Sequence, residues 1–475
     1  MWRSLLVCLS LAATASAGPK VTFVIGEKSP PLDKLAAEQL AQDFKALFDA
    51  ETNVQTKTSS DGYHNVLIGS PLSNPAISAE VFPKITEQGL VIKSTNKGLI
   101  VGGGCPSATL WAVSELSYRL GIRHLLQGDV LPIEKPAFKL DGYDVTAEPK
   151  LTRRGWSMYN GNITGAESWT KADLTLLLRQ LVKLKFTHVL IPIHISAPQP
   201  IAVDGDTSGR KAFGGAKFFP SGPPATDIAA EAKALGLVVV PMDFVTHSLG
   251  ARSTSVLPQI SLPDLDRRFH ALLKYKSNAF TVGAQTLGDL NTAAHFVSRV
   301  SFDETITAQK ALNELVTPIC GEGVTERLQM GFDLIAKAAK LIESNDSKIG
   351  VPDQQMLLRH LESKEPLPAW ITEVKTLYTG AMNEMYRANT RARGGARPFI
   401  LYHAKRLEFA LHYFTALESL YKAHDSATRA ESLEAAVEAS YNALNAYADV
   451  ARDASDRGVI ALLNEYAYRA LLKVE

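Results

Sequence analysis

Cysteine is scarce in this 475-residue chain, which holds three: Cys8, Cys105 and Cys320. That number and spacing exclude a cysteine-built zinc site. Cys105 and Cys320 can pair or stand as buried free thiols, since a bridge needs a Cβ geometry that sequence does not fix. An excess of one charge sign is also missing: 50 Lys and Arg face 49 Asp and Glu, a formal net charge of +1. No global field steers the chain toward nucleic acid or an anionic membrane. No apolar run reaches the length of a membrane span. Neither a G-x-S-x-G nucleophile turn nor a phosphate-binding fingerprint occurs, no repeat of solenoid period is present, and no cofactor or metal is implied. Gly102-Gly103-Gly104 lacks both the dinucleotide spacing and a following Lys-Ser/Thr, so it reads as a tight strand-to-helix turn.

What is present is an ordinary globular composition, 46% hydrophobic and 21% charged, with enough apolar mass for more than one core. Residues 1–17 (MWRSLLVCLSLAATASA) combine Arg3, a short apolar run and Ala15-Ser16-Ala17, the pattern of a secretory signal peptide. Export to a secreted or periplasmic location is the expectation.

From residue 18 to 147 apolar strands alternate with helices. Val21–Gly26, Asn65–Gly69, Gly89–Ser94 and Gly98–Gly102 read as strands, the last two joined at Thr95-Asn96-Lys97 as a hairpin. Leu32–Phe48 and Ala108–Leu120 carry helical periodicity. Residues 148–303 change rhythm: strand Arg153–Asn160, helix Lys171–Lys185, strand Thr187–Ile195, a Gly/Pro-rich stretch, helix Thr226–Leu235 and strand Leu237–Phe244. That order opens a parallel βα barrel. Residues 304–475 are helical by periodicity, with an aromatic stripe at Phe399, Tyr402, Phe409, Tyr413 and Leu417 that reads as core. The fold class expected is α/β followed by α: a small α/β accessory domain, an incomplete TIM-type barrel and a helical bundle.

The run GLIVGGGCPSATLWAVSELSYRLGIR beginning at Gly98, followed by Ala147-Glu148-Pro149 and Arg153-Arg154-Gly155-Trp156, resembles secreted glycoside hydrolases of the bacterial hexosaminidase and alpha-glucuronidase group. Leu235–Ser248 (LGLVVVPMDFVTHS) resembles the third barrel strand of family 20 hexosaminidases. The resemblance covers residues 20–250. It implies that Arg154 binds sugar hydroxyls at the end of the first strand, with His194 ending the second and Asp243 and His247 the third. Such positions are where a barrel places its chemistry.

The departures are specific. Met242 stands where the family has Glu, Thr246 where it has Gly, and Ser196, Ala197 and Pro198 where acidic residues follow the second-strand histidine. The Gly-Gly-Asp-Glu run that supplies the family's acid is absent, and too little chain follows Ser248 for a complete barrel of about 250 residues. The remaining acid candidates are Asp243 and Glu304; Asp303-Glu304 also reads as a helix-capping pair. Asp289 reads as a helix cap. Trp156, Tyr159 and Trp169 can form an apolar platform for a sugar face or belong to the core. Arg387, Arg391, Arg393 and Arg397 form a basic cluster that either meets an anion or ends a helix. Two functions follow: a glycosidase acting on amino-sugar or uronic-acid glycosides through a carboxyl acid, or a non-catalytic carbohydrate-binding protein.

Overall fold

The computed structural model describes residues 18–60, 62–158, 169–192, 225–242, 255–283, 286–353, 355–363 and 365–474. Its first part holds β1 (Lys20–Val24), β2 (Glu51–Gln55), β3 (His64–Ile68), β4 (Leu90–Thr95), β5 (Gly98–Gly103), the short ribbon of β6 (Arg123–Leu125) and β7 (Gly128–Val130), and β8 (Asp144–Ala147). Apart from the ribbon, these strands form one sheet in the order β2-β1-β3-β5-β4-β8. Alternation sorts its side chains: Val21, Phe23, Val66, Ile68, Leu99 and Val101 join the main core, whereas Val24, Leu67 and Ile100 form a small cluster on the other face. Helices α1 (Pro31–Phe48) and α2 (Pro106–Arg119) bury apolar residues at helical spacing against the main core.

The glycine run after β5 answers to packing. A Cβ on Gly102 would lie 1.7 Å from the Gly69 carbonyl oxygen, and one on Gly104 1.9 Å from that of Thr86. Backbone fills the space that a phosphate would need, and the turn is tight, as expected.

The second sheet contains β9 (Arg153–Ser157), β10 (His188–Pro192), β11 (Val238–Met242) and β12 (Ala279–Gly283). It is parallel throughout, in the order β11-β10-β9-β12. Helix α3 (Lys171–Lys183) connects β9 to β10, α4 (Ala225–Ala234) precedes β11, α5 (Leu262–Lys274) precedes β12 and α6 (Asn291–Val300) follows it. A capping box fixes the start of α3: Thr170 accepts from the Asp173 amide and Asp173 from that of Thr170. One face of the sheet, with Trp156, Val189, Ile191, Phe280 and Val282, packs on the helices through edge-to-face rings such as Trp156–Phe186 and Phe269–Phe280. The other carries Gly155, Ser157, His188, Leu190, Val238 and Thr281 and is less covered; Val238 is 52% exposed.

Beyond α7 (Ala308–Cys320) the chain continues through α8 (Thr325–Asn345), α9 (Ala369–Arg391), α10 (Arg397–Lys422), α11 (Arg429–Ala448) and α12 (Ala454–Leu463). Helix α9 packs between α8 and α10, and α10 against α11. The aromatic stripe of α10 is buried, as its spacing implies. Cys105 and Cys320 are both free thiols, and burial pushes Cys320 up to about 12. Among the described residues no helix is long and apolar enough to cross a membrane. The fold class is the expected one, α/β followed by α.

Candidate functional site at the carboxyl edge of the parallel sheet

A parallel sheet has two chemically distinct edges, because every strand delivers the same end to the same side. Arg154 is the second residue of β9 and so lies toward the amino edge, which corrects its expected place at the strand's carboxyl end. Its Nε and Nη1 are taken up by the protein, while Nη2 is buried with no hydrogen-bond partner among the described residues. Nε donates to the Lys185 carbonyl (2.6 Å), and Nη1 donates to Gln88 Oε1 (3.0 Å) and to the Leu151 carbonyl (2.6 Å). The guanidinium also lies 4.9 Å from the Trp111 ring centre and 5.1 Å from that of Phe302. It is 1% exposed, and burial pushes it down to about 9.

Around it the amino edge is cemented by ions. Glu115 of α2 meets Lys185 (3.0 Å), Arg299 of α6 (2.7 Å) and Arg119 (3.0 Å). Burial alone would raise Glu115, but these three cations override it and hold the carboxyl at about 2.

Glu304 belongs to the same edge. The chain leaving α6 hands the Ser301 carbonyl to the Lys150 amide (2.7 Å), next to the start of β9, and Glu304 follows, exposed. Its carbonyl bonds the ring of His270 (3.2 Å), and Asp303 accepts from the amide (2.9 Å) and hydroxyl (2.6 Å) of Thr305. Asp303 thus closes a turn on Thr305 and caps no helix; the helix that follows, α7, is capped by Thr307, whose side chain accepts from the Lys310 amide (3.2 Å), and Glu304 lies away from the carboxyl ends of the strands. Trp156, 2% exposed and 5.4 Å from Phe186 between ring centres, is core instead of a sugar platform.

The carboxyl edge is where β9, β10, β11 and β12 end. Asp243 follows directly on Met242, the last residue of β11, and His194 stands two residues past the end of β10. Asp243, His194, His247 and Tyr159 lie outside the described residues.

The described part of this edge contains a carboxylate whose sequence pattern reads as a cap. Asp289 follows β12 by six residues, in a short turn before α6. It caps neither that turn nor α6, both of which start without a side-chain cap. Asp289 Oδ2 instead accepts from Arg406 Nη2 of α10 (2.8 Å) and from the Thr286 hydroxyl (2.7 Å). Burial works to raise the Asp289 carboxyl; the charge and hydrogen bonds of Arg406, with help from His403 and Thr286, more than offset it and hold it below the usual range.

Arg406 is fully buried, lies 4.3 Å from the Tyr447 ring centre and donates a third bond to the Val256 carbonyl (2.6 Å). Val256 belongs to the stretch between β11 and α5. A single guanidinium from the helical region therefore ties together two connections of the sheet. The signal in the sequence is an arginine inside the aromatic stripe, between Tyr402 and Phe409: buried there, it must find an anion.

Behind the pair, Asp456 of α12 accepts from the hydroxyls of Tyr402 (2.9 Å) and Tyr447 (3.0 Å) and from the Arg452 amide (2.9 Å). Burial, reinforced by the nearby Asp453 charge, lifts Asp456 to about 7. The Tyr402 ring seals the turn, since a Cβ on Gly288 would lie 2.2 Å from its Cζ. Asn291 and Gln127 link the turn to the Asp453 side chain and to the Leu126 amide beside β6. Among the described residues no group of three or more His, Cys, Asp or Glu could hold a metal ion.

No protein-family model matches the chain, and no curated protein matches it. Solved structures do. A family GH115 4-O-methyl-alpha-glucuronidase, with specificity for decorated arabinogalactans, aligns with a TM-score of 0.66 at 10% identity, over 94% of this chain and 80% of its own. A GH138 enzyme targeting pectin rhamnogalacturonan II aligns with a TM-score of 0.50 at 9% identity, over 94% of this chain and 74% of its own. The likeness is one of fold.

Proposed function

We propose that this chain is a carbohydrate-processing protein of the glycoside hydrolase type, acting on amino-sugar or uronic-acid glycosides and exported through residues 1–17. The observation that carries the reading is the all-parallel sheet, whose carboxyl edge has Asp243 next in sequence after β11 and Asp289 after β12. The fold likeness to a glucuronidase and to a pectin-targeting enzyme supports it. In this reading Asp243 is the carboxyl group that protonates the glycosidic oxygen, and His194 and His247 hold sugar hydroxyls. Arg154 and Trp156 drop out of the site because their surroundings give them structural work on the amino edge and in the core, and Glu304 because it lies exposed on the amino edge.

One observation favours the binding alternative. β12 pairs with β9, the place taken in a closed barrel by the last strand, yet only residues 243–278 separate β11 from it. Those 36 residues hold α5 and are far short of four further βα units, about 125 residues in a barrel of typical size. We read the barrel as shortened in its middle, with loss of the family's acid-bearing fourth strand.

The deciding experiment offers the purified chain and Asp243→Asn chromogenic N-acetylglucosaminide and alpha-glucuronide substrates, and measures binding of both sugars by calorimetry. The hydrolase reading expects turnover of one substrate and a loss of about 100-fold or more in the variant. Sugar binding with no turnover by wild type replaces it with the binding reading; neither binding nor turnover overturns both.

A further inference from the structure

Asp289 has the attributes of a ligand-facing group and none of a cap. It lies just past the carboxyl end of β12, the end at which parallel sheets with helical connections meet their ligands. The turn that carries it is held on three sides. The Leu287 amide donates to Ser455 Oγ (3.1 Å), Gly288 abuts the Tyr402 ring, and Asn291 bonds Gln127 (2.8 Å).

Its two oxygens are not equivalent. Oδ2 is saturated by Arg406 and Thr286, while the contact of Oδ1 is a long 3.4 Å bond from Arg406 Nε. The Asp289 side chain keeps 15% of its surface exposed; Arg406, which grips it, keeps none. A fixed, partly exposed carboxylate with one oxygen held by no more than a long contact is suited to hydroxyl donors. The same oxygen repels another carboxylate.

We propose that Asp289 is a sugar-facing carboxylate that accepts hydrogen bonds from the hydroxyls of an uncharged or N-acetylated sugar, and that Arg406 is the positioning residue that fixes it. The proposal rests on the carbohydrate reading above and narrows it, because a uronate carboxylate is unwelcome at this place. Arg406 does its part from the helical region, which is thereby part of the site.

The groups facing Asp289 are Arg406, His403 and Tyr402 of α10, Tyr378 of α9, Tyr447 of α11 and Thr286 of its own turn. Arg406 contributes the largest opposing charge. Replacing it by Gln lets burial dominate, so the carboxyl protonates at higher pH than in wild type and sugar affinity falls as pH is lowered. A purely structural Arg406 would give no such pH-dependent loss.

The test titrates N-acetylglucosamine and glucuronate into wild type, Asp289→Asn, Arg406→Gln and the double variant, by calorimetry from pH 5 to 8, with circular dichroism and melting curves on each. Asp289→Asn leaves Arg406 buried without its anion and is prone to unfold; the double variant removes both charges and keeps the question answerable. The expected result is at least a tenfold weakening for N-acetylglucosamine in every folded variant that lacks the carboxylate. Arg406→Gln should fall further below wild type as pH is lowered across this range. N-acetylglucosamine affinity within threefold of wild type in the folded double variant overturns the role of Asp289 alone. Wild type that binds neither sugar overturns the carbohydrate reading, and this inference with it.

Discussion

The two edges of the parallel sheet use similar residues to opposite ends. At the amino edge Glu115 is wrapped by three cations and Arg154 is locked among carbonyls and rings. At the carboxyl edge Asp289 is gripped on one oxygen and holds a single long contact on the other, and Asp456 is buried among hydroxyls with no ion pair among the described residues. A carboxylate ringed by positive charge is mortar. One held from behind by a single guanidinium is available for something else.

The largest expected effect comes from breaking the mortar. Glu115→Gln leaves Lys185 buried without its anion and Arg299 with only Glu314 at 3.5 Å, and should cost about 3–5 kcal/mol in urea unfolding. Sugar affinity of the remaining folded fraction should be unchanged, and a selective loss of affinity would erase the distinction between the edges.

The next effect is in pH, where the edges have opposite signs. Glu115 lies below its ordinary value when folded, so its contribution is complete above about 4.5 and is lost as pH falls through about 2. Asp456 is raised, so its contribution is complete below about 3.8 and is lost as pH climbs through about 7. By linkage the Asp456 swing approaches about 4 kcal/mol across that window. Asp456→Asn should flatten stability between pH 4 and 7 in melting curves; an unaltered slope would mean that Asp456 stays ionised in the fold.

Smallest of all is Glu304→Gln. An exposed side chain on the amino edge should change stability by no more than about 0.5 kcal/mol and leave sugar binding and any turnover untouched. Loss of turnover in this variant would restore the displaced acid pair and move the site to the other edge.

Legibility in the sequence depends on whether the signal is local. The apolar runs of β10 and β11 and the buried stripe of α10 carry their patterns within one element, and each forms as expected. β12 (AFTVG) is hard to see because three of its five residues are half-buried and its Thr and Gly dilute the apolar signal; its pairing comes from β9, 126 positions earlier by register. β2 (ETNVQ), a polar edge strand, is hidden for the same reason. Resemblance locates strand positions but not their ends. Arg154 shows the difference, because a residue in a five-residue strand is near both edges on paper and near only one in space. Asp289 looks like a cap because its partner lies 117 residues away on another element.

The pairing of β9 with β12 also sets an order of events during synthesis. β9 gains β10 as a neighbour early, but its second neighbour does not exist until residue 283 has been made. Arg406, which fixes the turn after β12, comes more than a hundred residues later still. A nascent chain therefore exposes an unpaired β9 edge through much of its translation, and the long loops to be closed slow its completion. The finished carboxyl edge is among the last parts of the molecule to exist, so damage to α10 should show first as chains that never mature and only afterwards as chains that mature and work badly.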